Sequence, residues 1–355
     1  MVEINPDITK ARTLSSSYYT DSTTFHSIFS KFSNFWHYVG HYSQFEDGLV
    51  KPFTIGDEPI IISKSGGSFN CFSNVCTHRG MILVNDEGCR KALVCPYHGR
   101  TFSLDGDFKS MPEFEKVEDF PTAKDNLSKF DLTIWNNLIF ALVNQTDETI
   151  NWFDSVKQRM SFLDIQNFTY DSSREREYTI DANWILYVDN YLEGYHIPIV
   201  HPELANLLDY KNYVTESYPM YSLQYSPFKN ENNVYQTEHG EAFYYFLFPN
   251  IMLNILPGRL QVNVVEPIST SECKVFFWYF YDDITAKEKA GIINDDLEYS
   301  EVIQQEDIEI CEAVQLGLQS KAYNKGRFSV KRELGVYHFQ SLLKEQFRAH
   351  IPYSK

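Results

Sequence analysis

The pattern of hydrophobic and polar positions changes twice along the chain. Near the start, Asp21 or Ser22 can cap a helix whose apolar residues recur at helical spacing, at Phe25, Ile28, Phe29, Phe32 and Phe35. From residue 36 to about residue 143 the pattern is that of short strands separated by turn signals, which predicts an all-β module. Its strands are expected at residues 36–39, 50–55, 59–64, 69–72, 91–94, 100–103, 132–135 and 138–143.

After about residue 150 the strands lengthen and helices return. Strands are predicted at 176–180, 242–248, 251–256, 260–267 and 273–281, with a loop-rich stretch up to about 240. Helices are predicted at 285–318, with a break, and at 336–349. Antiparallel strands covered by helices form an α+β layer with one concave face free for a pocket. The expected division is therefore an arm and helix at 1–40 that pack on the last domain, an all-β domain at 41–150 and an α+β domain at 151–355.

Composition narrows the possible functions. The chain has 355 residues, 43% of them hydrophobic, and a formal net charge of −17, which argues against a nucleic acid or an anionic membrane as partner. Its six cysteines are too few for a secreted disulfide framework, and Cys71, Cys89, Cys273 and Cys311 are expected to be buried thiols. The N-terminus has no basic and apolar leader, and no apolar run reaches membrane-spanning length, so a cytoplasmic protein is expected.

The strongest chemical signal is a pair of short motifs in the all-β module. They read Cys-x-His and Cys-x-x-His, sixteen residues apart, and comprise Cys76, His78, Cys95 and His98. The unequal spacing is unusual for zinc and fits a [2Fe-2S] cluster held by two thiolates and two imidazoles at the tips of two loops. Gly80 and Gly99 follow the histidines, where the backbone must curl closely. A zinc ribbon or a chance match is the alternative.

These motifs closely resemble those of Rieske iron–sulfur proteins. Respiratory Rieske proteins carry a further cysteine in each ligand loop, and these two form a disulfide. Met81 and Tyr97 stand at those positions here, so the resemblance is to the lower-potential Rieske type of bacterial ferredoxins and oxygenases. Arg100 replaces a tryptophan frequent in the family, which raises the question of partner docking and cluster exposure.

A second candidate metal site lies in the segment 189–202. His196 and His201 are five residues apart, a spacing that would point them in different directions on an unbroken helix. We expect Pro198 to end the helix after His196, so that His201 turns back toward it. Two histidines and a carboxylate form the facial triad of non-haem Fe(II) oxygenases. Without a neighbouring cluster, two hydrogen-bonded core histidines would be the simpler interpretation.

The segment resembles the catalytic motif of Rieske non-haem iron oxygenases. Asn183-Trp184, Glu193, His196 and His201 occupy the motif positions, and the resemblance implies Asp307 as the third iron ligand. The stretch around Asp307 is similar to the branch that contains choline, glycine-betaine and carnitine oxygenases. Three competing carboxylates, Glu306, Glu309 and Glu312, are expected on solvated faces or behind the ligands.

The resemblance also implies roles around the iron. Glu193 is expected to bridge a cluster histidine of a neighbouring subunit, His98 or His78, to His196 within a homotrimer, with Asp189 as a helper. The catalytic domain is expected to have the helix-grip fold of the SRPBCC type. A cationic substrate needs aromatic walls, for which Tyr191, Tyr195, Tyr244, Phe246 and Phe248 are the candidates. The run 256–259 is less polar than a pocket strand should be, so substrate contacts cannot be transferred from the family.

The implied function is the terminal oxygenase of a multicomponent Rieske system. A reductase of ferredoxin or flavin type would deliver electrons from NAD(P)H to the [2Fe-2S] cluster, and O₂ would be activated at the mononuclear Fe(II) to hydroxylate or N-demethylate a small quaternary ammonium compound. A ring-hydroxylating oxygenase for an aromatic or cyclic acid is an alternative. A Rieske electron carrier without oxygenase activity, or a regulatory iron sensor, is the alternative of another class, although a carrier would need only the first part of the chain.

Overall fold

The computed structural model of the protein describes residues 4–145, 152–229, 235, 240–289 and 291–347. The chain forms two compact units. Ser30–Gln158 form one, called the β unit below, and Met1–Phe29 with Arg159–Lys355 form the other, called the α+β unit. The sequence placed the first division near residue 40, but strand pairing carries residues 37–41 into the β unit. The division expected between 150 and 151 lies outside the described residues.

In its described part, the β unit contains three antiparallel sheets. Its strands are β1 (His37–His41), β2 (Leu49–Ile55), β3 (Glu58–Ser65), β4 (Ser68–Ser73), β5 (Gly88–Cys89), β6 (Leu93–Val94), β7 (Thr101–Phe102), β8 (Phe108–Ser110), β9 (Asp131–Trp135) and β10 (Leu138–Leu142). The strand orders are β1-β10-β9, β4-β3-β2-β5 and β6-β7-β8. Every predicted strand of the module is confirmed, with ends that differ by a few residues. Asn136 and Asn137, at positive φ of 47° and 66°, form the predicted turn between β9 and β10.

The α+β unit is built on one large antiparallel sheet. Its strands are β11 (Thr169–Tyr170), β12 (Arg176–Ile180), β13 (Val214–Tyr218), β14 (Tyr221–Pro227), β15 (Glu241–Leu247), β16 (Ile251–Leu256), β17 (Arg259–Ser269) and β18 (Glu272–Tyr281). They follow the order β11-β18-β17-β16-β15-β14-β13, and β12 also pairs with β18.

The α-helices of the described residues are α1 (Ser17–Thr20), α2 (Ser22–Phe29), α3 (Trp152–Arg159), α4 (Trp184–Tyr191), α5 (Ile197–Val200), α6 (Pro202–Leu207), α7 (Ile284–Lys289), α8 (Ile292–Leu318) and α9 (Leu334–Gln346). Helix α9 covers the sheet of the α+β unit: the ring of Phe339 lies 5.2 Å from that of Phe246 on β15 and 6.0 Å from that of Trp184 on α4. The expected α+β class, with helices over an antiparallel sheet, is confirmed. Within the described helices, none combines the length and the apolar character needed to cross a membrane.

Two features of the sheet and its helices correct the sequence prediction. The stretch before residue 240 is not mainly loop, because it contains the hairpin β13–β14. The residues of β14 alternate between apolar and polar from Tyr221 to Ser226, so the strand signal is present in the sequence. The polar members of the pattern, Ser222, Gln224 and Ser226, are nevertheless buried. The helix that Asp21 caps, through a 2.7 Å bond from the Thr24 N–H, ends at Phe29, and Phe32 begins a short 3₁₀ turn at Phe32–Asn34 instead.

The helices predicted near the C-terminus are confirmed in outline. The expected break lies between α7 and α8, where Gly291 takes a positive φ of 75°. Helix α9 begins at Leu334, and the last residues predicted for it, 348 and 349, lie outside the described part of the chain. Gly335 is required at this place, because a Cβ there would approach the Leu192 carbonyl oxygen at the end of α4 to 2.4 Å.

Candidate metal centres and active site

The two ligand loops of the β unit share one backbone turn. In the first, the Gly80 N–H donates to the Cys76 carbonyl at 3.0 Å, and in the second the Gly99 N–H donates to the Cys95 carbonyl at 3.0 Å. Each glycine has a positive φ, 71° and 73°, which other residues adopt only with strain. The histidine stands two residues after the cysteine in one loop and three after it in the other. The unequal spacing of the motif is therefore two versions of the same loop.

The four predicted cluster ligands are brought together at these loops. Cys76 and Cys95 are each 2% exposed, and their thiols are close enough to hydrogen-bond. Burial raises the pKa of the Cys76 thiol, which the His78 backbone N–H partly offsets. The rings of His78 and His98 lie 4.9 Å apart. His98 is exposed, and its ring centre lies 3.6 Å from that of the exposed Tyr97, with the two rings tilted by 33°. Buried sulfurs and outward imidazoles are the arrangement that a Rieske cluster requires.

Two other predictions about this unit have a clear outcome. The Arg100 side chain is buried rather than displayed for docking: its Nη2 pairs with Asp125 Oδ1 at 2.7 Å, and its Cζ lies 4.9 Å from the ring centre of Phe108. Cys71, Cys273 and Cys311 are buried, as predicted, but Cys89 is exposed and donates to Glu46 Oε1 at 3.0 Å. Cys89 lies in the two-residue edge strand β5 between Glu87 and Arg90, and a position in an edge strand does not by itself produce burial.

In the α+β unit, His196, His201 and Asp307 form a compact group. Asp307 Oδ1 lies 3.0 Å from His201 Nε2 and 3.7 Å from His196 Nε2, and all three donor atoms lie within 4.8 Å of one another. In an octahedral site with metal–donor distances of about 2.1 Å, neighbouring donors lie about 3 Å apart. The donor set, two imidazoles and one carboxylate on one side, therefore fits a mononuclear iron with open positions opposite.

The local chain path to the two histidines differs from the prediction. Helix α4 ends at Tyr191, well before His196, and Pro198 lies in the first turn of α5 rather than at the end of α4. Proline is favoured there because the first N–H groups of a helix have no partner within it. His201 then precedes Pro202 at the start of α6. The short helix α5 returns the chain through one turn, which brings the two imidazoles to a ring separation of 4.9 Å.

Each histidine is held from behind by a carboxylate. His196 Nδ1 lies 2.6 Å from Glu193 Oε1, and His201 Nδ1 lies 2.6 Å from Glu306 Oε2. With Nδ1 donating to these carboxylates, both Nε2 atoms are left to face Asp307 and a metal. Glu193 reaches His196 through a tight turn and not, as predicted, from one helical face, since Glu193 Oε2 also accepts the His196 backbone N–H at 3.0 Å.

The electrostatics of the group favour a cation. Burial lowers the pKa of His201, but Asp307 and Glu306 outweigh it, so the pKa is raised. Asn190 adds a further contact, its Nδ2 donating to Asp307 Oδ1 at 2.6 Å. Asn190, inside the histidine segment, was not predicted as a partner. Glu306 was one of three carboxylates expected on solvated faces or behind the ligands, and the structure places it behind His201. Nothing in the sequence pattern says which of these neighbouring polar side chains faces the site.

Asp189, the residue before Asn190 on α4, contacts residues other than the group of His196, His201 and Asp307. Its Oδ2 accepts from Tyr19 Oη at 2.7 Å and from Gln340 Nε2 at 3.0 Å, and its Oδ1 is buried without a partner among the described residues. Burial raises the pKa of this carboxyl to about 7. Asp189 and Glu193 line a second cavity of about 230 Å³, so Asp189 is near Glu193 but does not belong to the group of His196, His201 and Asp307.

A cavity of about 110 Å³ adjoins His196, His201 and Asp307, which form part of its wall. Tyrosines dominate the rest of the lining, namely Tyr187, Tyr191, Tyr213, Tyr235, Tyr244 and Tyr299. Several of their hydroxyls are occupied, as in the bond from Tyr191 to Asn254 Oδ1 at 2.7 Å and that from Tyr187 to Gln304 Oε1 at 2.6 Å. The rings therefore contribute aromatic surface to the cavity.

Of the five predicted wall residues, the structure places Tyr191 and Tyr244 in this cavity. Tyr195 is 55% exposed, in the turn that follows α4. Phe246 and Phe248 are buried beneath α9, against Phe339. Tyr244 and Phe246 share one face of β15, but α9 covers that face from Phe246 onward, and strand alternation alone cannot show where a covering helix begins.

Comparison with known protein families identifies both units. Residues 35–121 match the Rieske [2Fe-2S] domain, and residues 167–349 match the catalytic domain of the ring hydroxylating alpha subunit. Choline monooxygenase of Arabidopsis thaliana is 32% identical over 97% of this chain and 85% of its own length. The carnitine monooxygenase oxygenase subunit of Escherichia coli K12 is 28% identical over 96% of this chain and 95% of its own length.

Solved structures have the same fold. The quaternary ammonium Rieske monooxygenase CntA in complex with L-carnitine has a TM-score of 0.78 at 24% identity, covering 98% of this chain and 100% of that chain. Naphthalene 1,2-dioxygenase from Rhodococcus has a TM-score of 0.75 at 16% identity, covering 96% and 95%. The chain belongs to the ring-hydroxylating alpha subunits of the Rieske type, O₂-dependent oxygenases that use a [2Fe-2S] cluster and a mononuclear iron.

Proposed function

We propose that this protein is the terminal component of a Rieske monooxygenase that oxidises a small quaternary ammonium compound. The observation that carries the substrate class is the tyrosine-lined cavity beside His196, His201 and Asp307. A quaternary ammonium group has no N–H to donate, and aromatic faces attract it through their negative quadrupole. The relatives support the same class, since they include a choline monooxygenase and a carnitine monooxygenase subunit.

In this proposal Cys76, His78, Cys95 and His98 hold the [2Fe-2S] cluster, and His196, His201 and Asp307 hold the iron. The two centres, when bound, supply electron transfer and O₂ activation. The protein's own contribution is to orient the ligands and the substrate. Glu193 and Glu306 fix the imidazole tautomers through their 2.6 Å contacts, and Asn190 fixes the Asp307 carboxylate. The buried tyrosines exclude water and place a substrate methyl group beside the iron ligands.

We propose further that the protein works as a homotrimer in the cytoplasm, with electrons supplied by an NAD(P)H-dependent reductase. Exposed apolar side chains near both candidate centres support association: Met81 and Tyr97 in the ligand loops, and Ile310, Val314 and Leu316 on α8. Glu193 would meet His98 or His78 of a neighbouring subunit. Light scattering should then give three times the 41.5 kDa of one chain, and a monomer or dimer would contradict this arrangement.

Single-turnover oxidation tests the substrate class without the natural reductase. The purified holoprotein is reduced chemically, freed of reductant and exposed to O₂ with carnitine, choline, glycine betaine, benzoate or no substrate. We expect an ammonium compound to accelerate reoxidation of the cluster and to be converted to a hydroxylated product, or to a demethylated product with release of an aldehyde. The control is the neutral carbon isostere of the same compound, which should be inert because it has the shape without the charge.

A variant of the cavity sharpens the test. Replacing Tyr244 by Leu removes an aromatic face and should raise KM for the preferred ammonium compound by about tenfold. Tyr244→Phe, which retains the face, is the matched control and should stay close to wild type. Conversion of benzoate alone would favour the aromatic-acid alternative. If the reduced cluster reoxidised while no compound was converted, the result would favour an electron carrier. That outcome would disagree with the match of residues 167–349 to a catalytic domain.

A further inference from the structure

The substrate cavity has a second polar end. Arg259, the first residue of β17, is 5% exposed, lines the cavity and pairs with Asp296 through Nη1 and Oδ1 at 3.1 Å. Asp296 lies on α8, eleven residues before Asp307. At 1.5 Å per residue this is about 16 Å along the helix axis, so Arg259 lies far from the iron ligands.

Both carboxylate oxygens of Asp296 have hydrogen-bond partners, whereas Arg259 keeps N–H groups without a partner in the part of the chain that the structure describes. Asp296 accepts from Tyr235 at 2.7 Å and from Tyr281 at 2.8 Å in addition to Arg259. Arg259 uses Nη1 for Asp296 and Tyr235, and one N–H of Nη2 for Gln261. A guanidinium has five N–H groups, so the Nε–H and one N–H of Nη2 remain free. These two nitrogens lie on the same edge of the guanidinium, which can bind a carboxylate through two parallel hydrogen bonds.

Two buried polar atoms without a hydrogen-bond partner lie at the same end of the cavity. Among the described residues, Arg259 Nε has no hydrogen-bond partner although it is buried, and the same holds for Tyr299 Oη. Tyr299 is three residues after Asp296 on α8, hence on the same side of the helix as the partner of Arg259. Buried donors without acceptors are rare, and several of them around one cavity indicate a ligand that supplies the acceptors.

We propose that Arg259 and Tyr299 form a subsite for a carboxylate, so that the substrate is a zwitterion with its ammonium group toward the iron and its carboxylate at Arg259. This inference rests on the function proposed above and narrows it. A carboxylate supplies two charged oxygens, enough for the free guanidinium edge and the tyrosine hydroxyl together. The single hydroxyl of choline would leave one of these donors unpaired, and a hydrocarbon ring would leave all of them unpaired.

The test compares two compounds that differ only at one end: γ-butyrobetaine and the trimethylammonium alcohol of the same chain length. For wild-type holoenzyme we expect kcat/KM to be about 100-fold higher for the carboxylate than for the alcohol, as for a charge-assisted hydrogen-bonded pair. The double variant Arg259→Gln/Asp296→Asn removes both charges, so that neither remains buried alone, and should abolish most of this preference. Tyr299→Phe leaves the ion pair intact and should reduce the preference by about tenfold.

The matched control is Arg159→Gln. Like Arg259, Arg159 forms an ion pair with a carboxylate, that of Glu216 at 3.1 Å. Arg159 does not line this cavity. Arg159→Gln should leave the preference for the carboxylate unchanged. If Arg259 had only a structural role, the double variant would lower kcat/KM for the carboxylate and for the alcohol by the same factor. Calorimetric Kd values for γ-butyrobetaine should follow the same order.

The outcomes separate the two proposals. If wild type prefers the alcohol or choline, or if the double variant keeps the wild-type preference, the carboxylate subsite is wrong while an ammonium oxygenase remains. If the iron-loaded enzyme converts no ammonium compound of either kind, the function proposed above is wrong, and the subsite for a zwitterion is wrong with it.

Discussion

The two candidate metal centres of this chain are built in opposite ways. The cluster ligands lie between residues 76 and 98, on two loops whose shape is set by their own backbone hydrogen bonds. At the iron site, His201 and Asp307 are 106 residues apart in sequence and meet only because α8 packs near the end of α4. The first centre is thus a local structure held by backbone, and the second is a tertiary structure held by side chains.

The difference has a physical consequence. A cluster held by loop backbone depends on glycine conformations and on buried sulfurs, and its histidines can remain at the surface. An iron held by side chains depends on second partners, here Glu193 and Glu306, which restrict the imidazoles that the fold brings together. Variants in one centre should therefore leave the other intact, and each centre should fail in its own way.

The largest expected effect separates the centres outright. Asp307→Ala removes one of the three proposed ligands of the mononuclear iron, and we expect substrate oxidation to fall by at least about 1000-fold. The visible absorption of the cluster should not change. Cys95→Ser should do the reverse and abolish that absorption while the mononuclear iron remains bound. If Asp307→Ala bleached the cluster as well, the comparison of two independent centres would be wrong.

A smaller effect tests the support behind the ligands. Glu306→Gln keeps the shape of the side chain but weakens the hydrogen bond to His201 Nδ1, and iron affinity should fall by about 10- to 100-fold. Competition with a chelator measures this affinity. Glu309→Gln is the matched control, since Glu309 lies on the same helix and is exposed. Equal losses in both variants would indicate a general charge effect in place of a specific contact.

The smallest effect tests the backbone of the cluster loops. Gly99→Ala puts a side chain at a φ of 73° and should destabilise the β unit by about 1–2 kcal/mol, with earlier loss of the cluster on heating. Gly317→Ala on α8 is the control: no atom lies within 4 Å of the added Cβ, and alanine should stabilise the helix by up to about 1 kcal/mol. If Gly99→Ala did not lower the stability of the β unit, the turn would not require the positive φ of Gly99.

The same difference explains what could be predicted from sequence. The cluster motif was complete within one stretch, and turn signals mark the ends of the strands around it, so ligands and scaffold were both visible. At the iron site, the histidines and Asp307 could be named by resemblance to a family. Glu306 and Asn190 could not be given their roles, because their contacts depend on the packing of α8 against α4.

The cavity was least accessible to prediction. Phe246 and Phe248 have the residue type and strand parity of a wall, but α9 covers them. Arg259 ends the run 256–259, which the sequence presents as less polar than a pocket strand should be. Its role could not be predicted, because its partner Asp296 lies on a helix 37 residues later and its free N–H groups follow from hydrogen bonds that exist only in the folded chain. Buried polar residues such as Gln224 and Asn263 likewise contradict the rule that apolar residues line the interior of a sheet.

Iron and acid-labile sulfide, measured together on fully loaded protein, test the central claim most directly. Two separate centres predict about three irons and two sulfides per chain, and His201→Ala should lower the iron to about two while the sulfide stays at two. Wild-type protein with only two irons, or a His201→Ala variant that loses sulfide together with iron, would contradict the account.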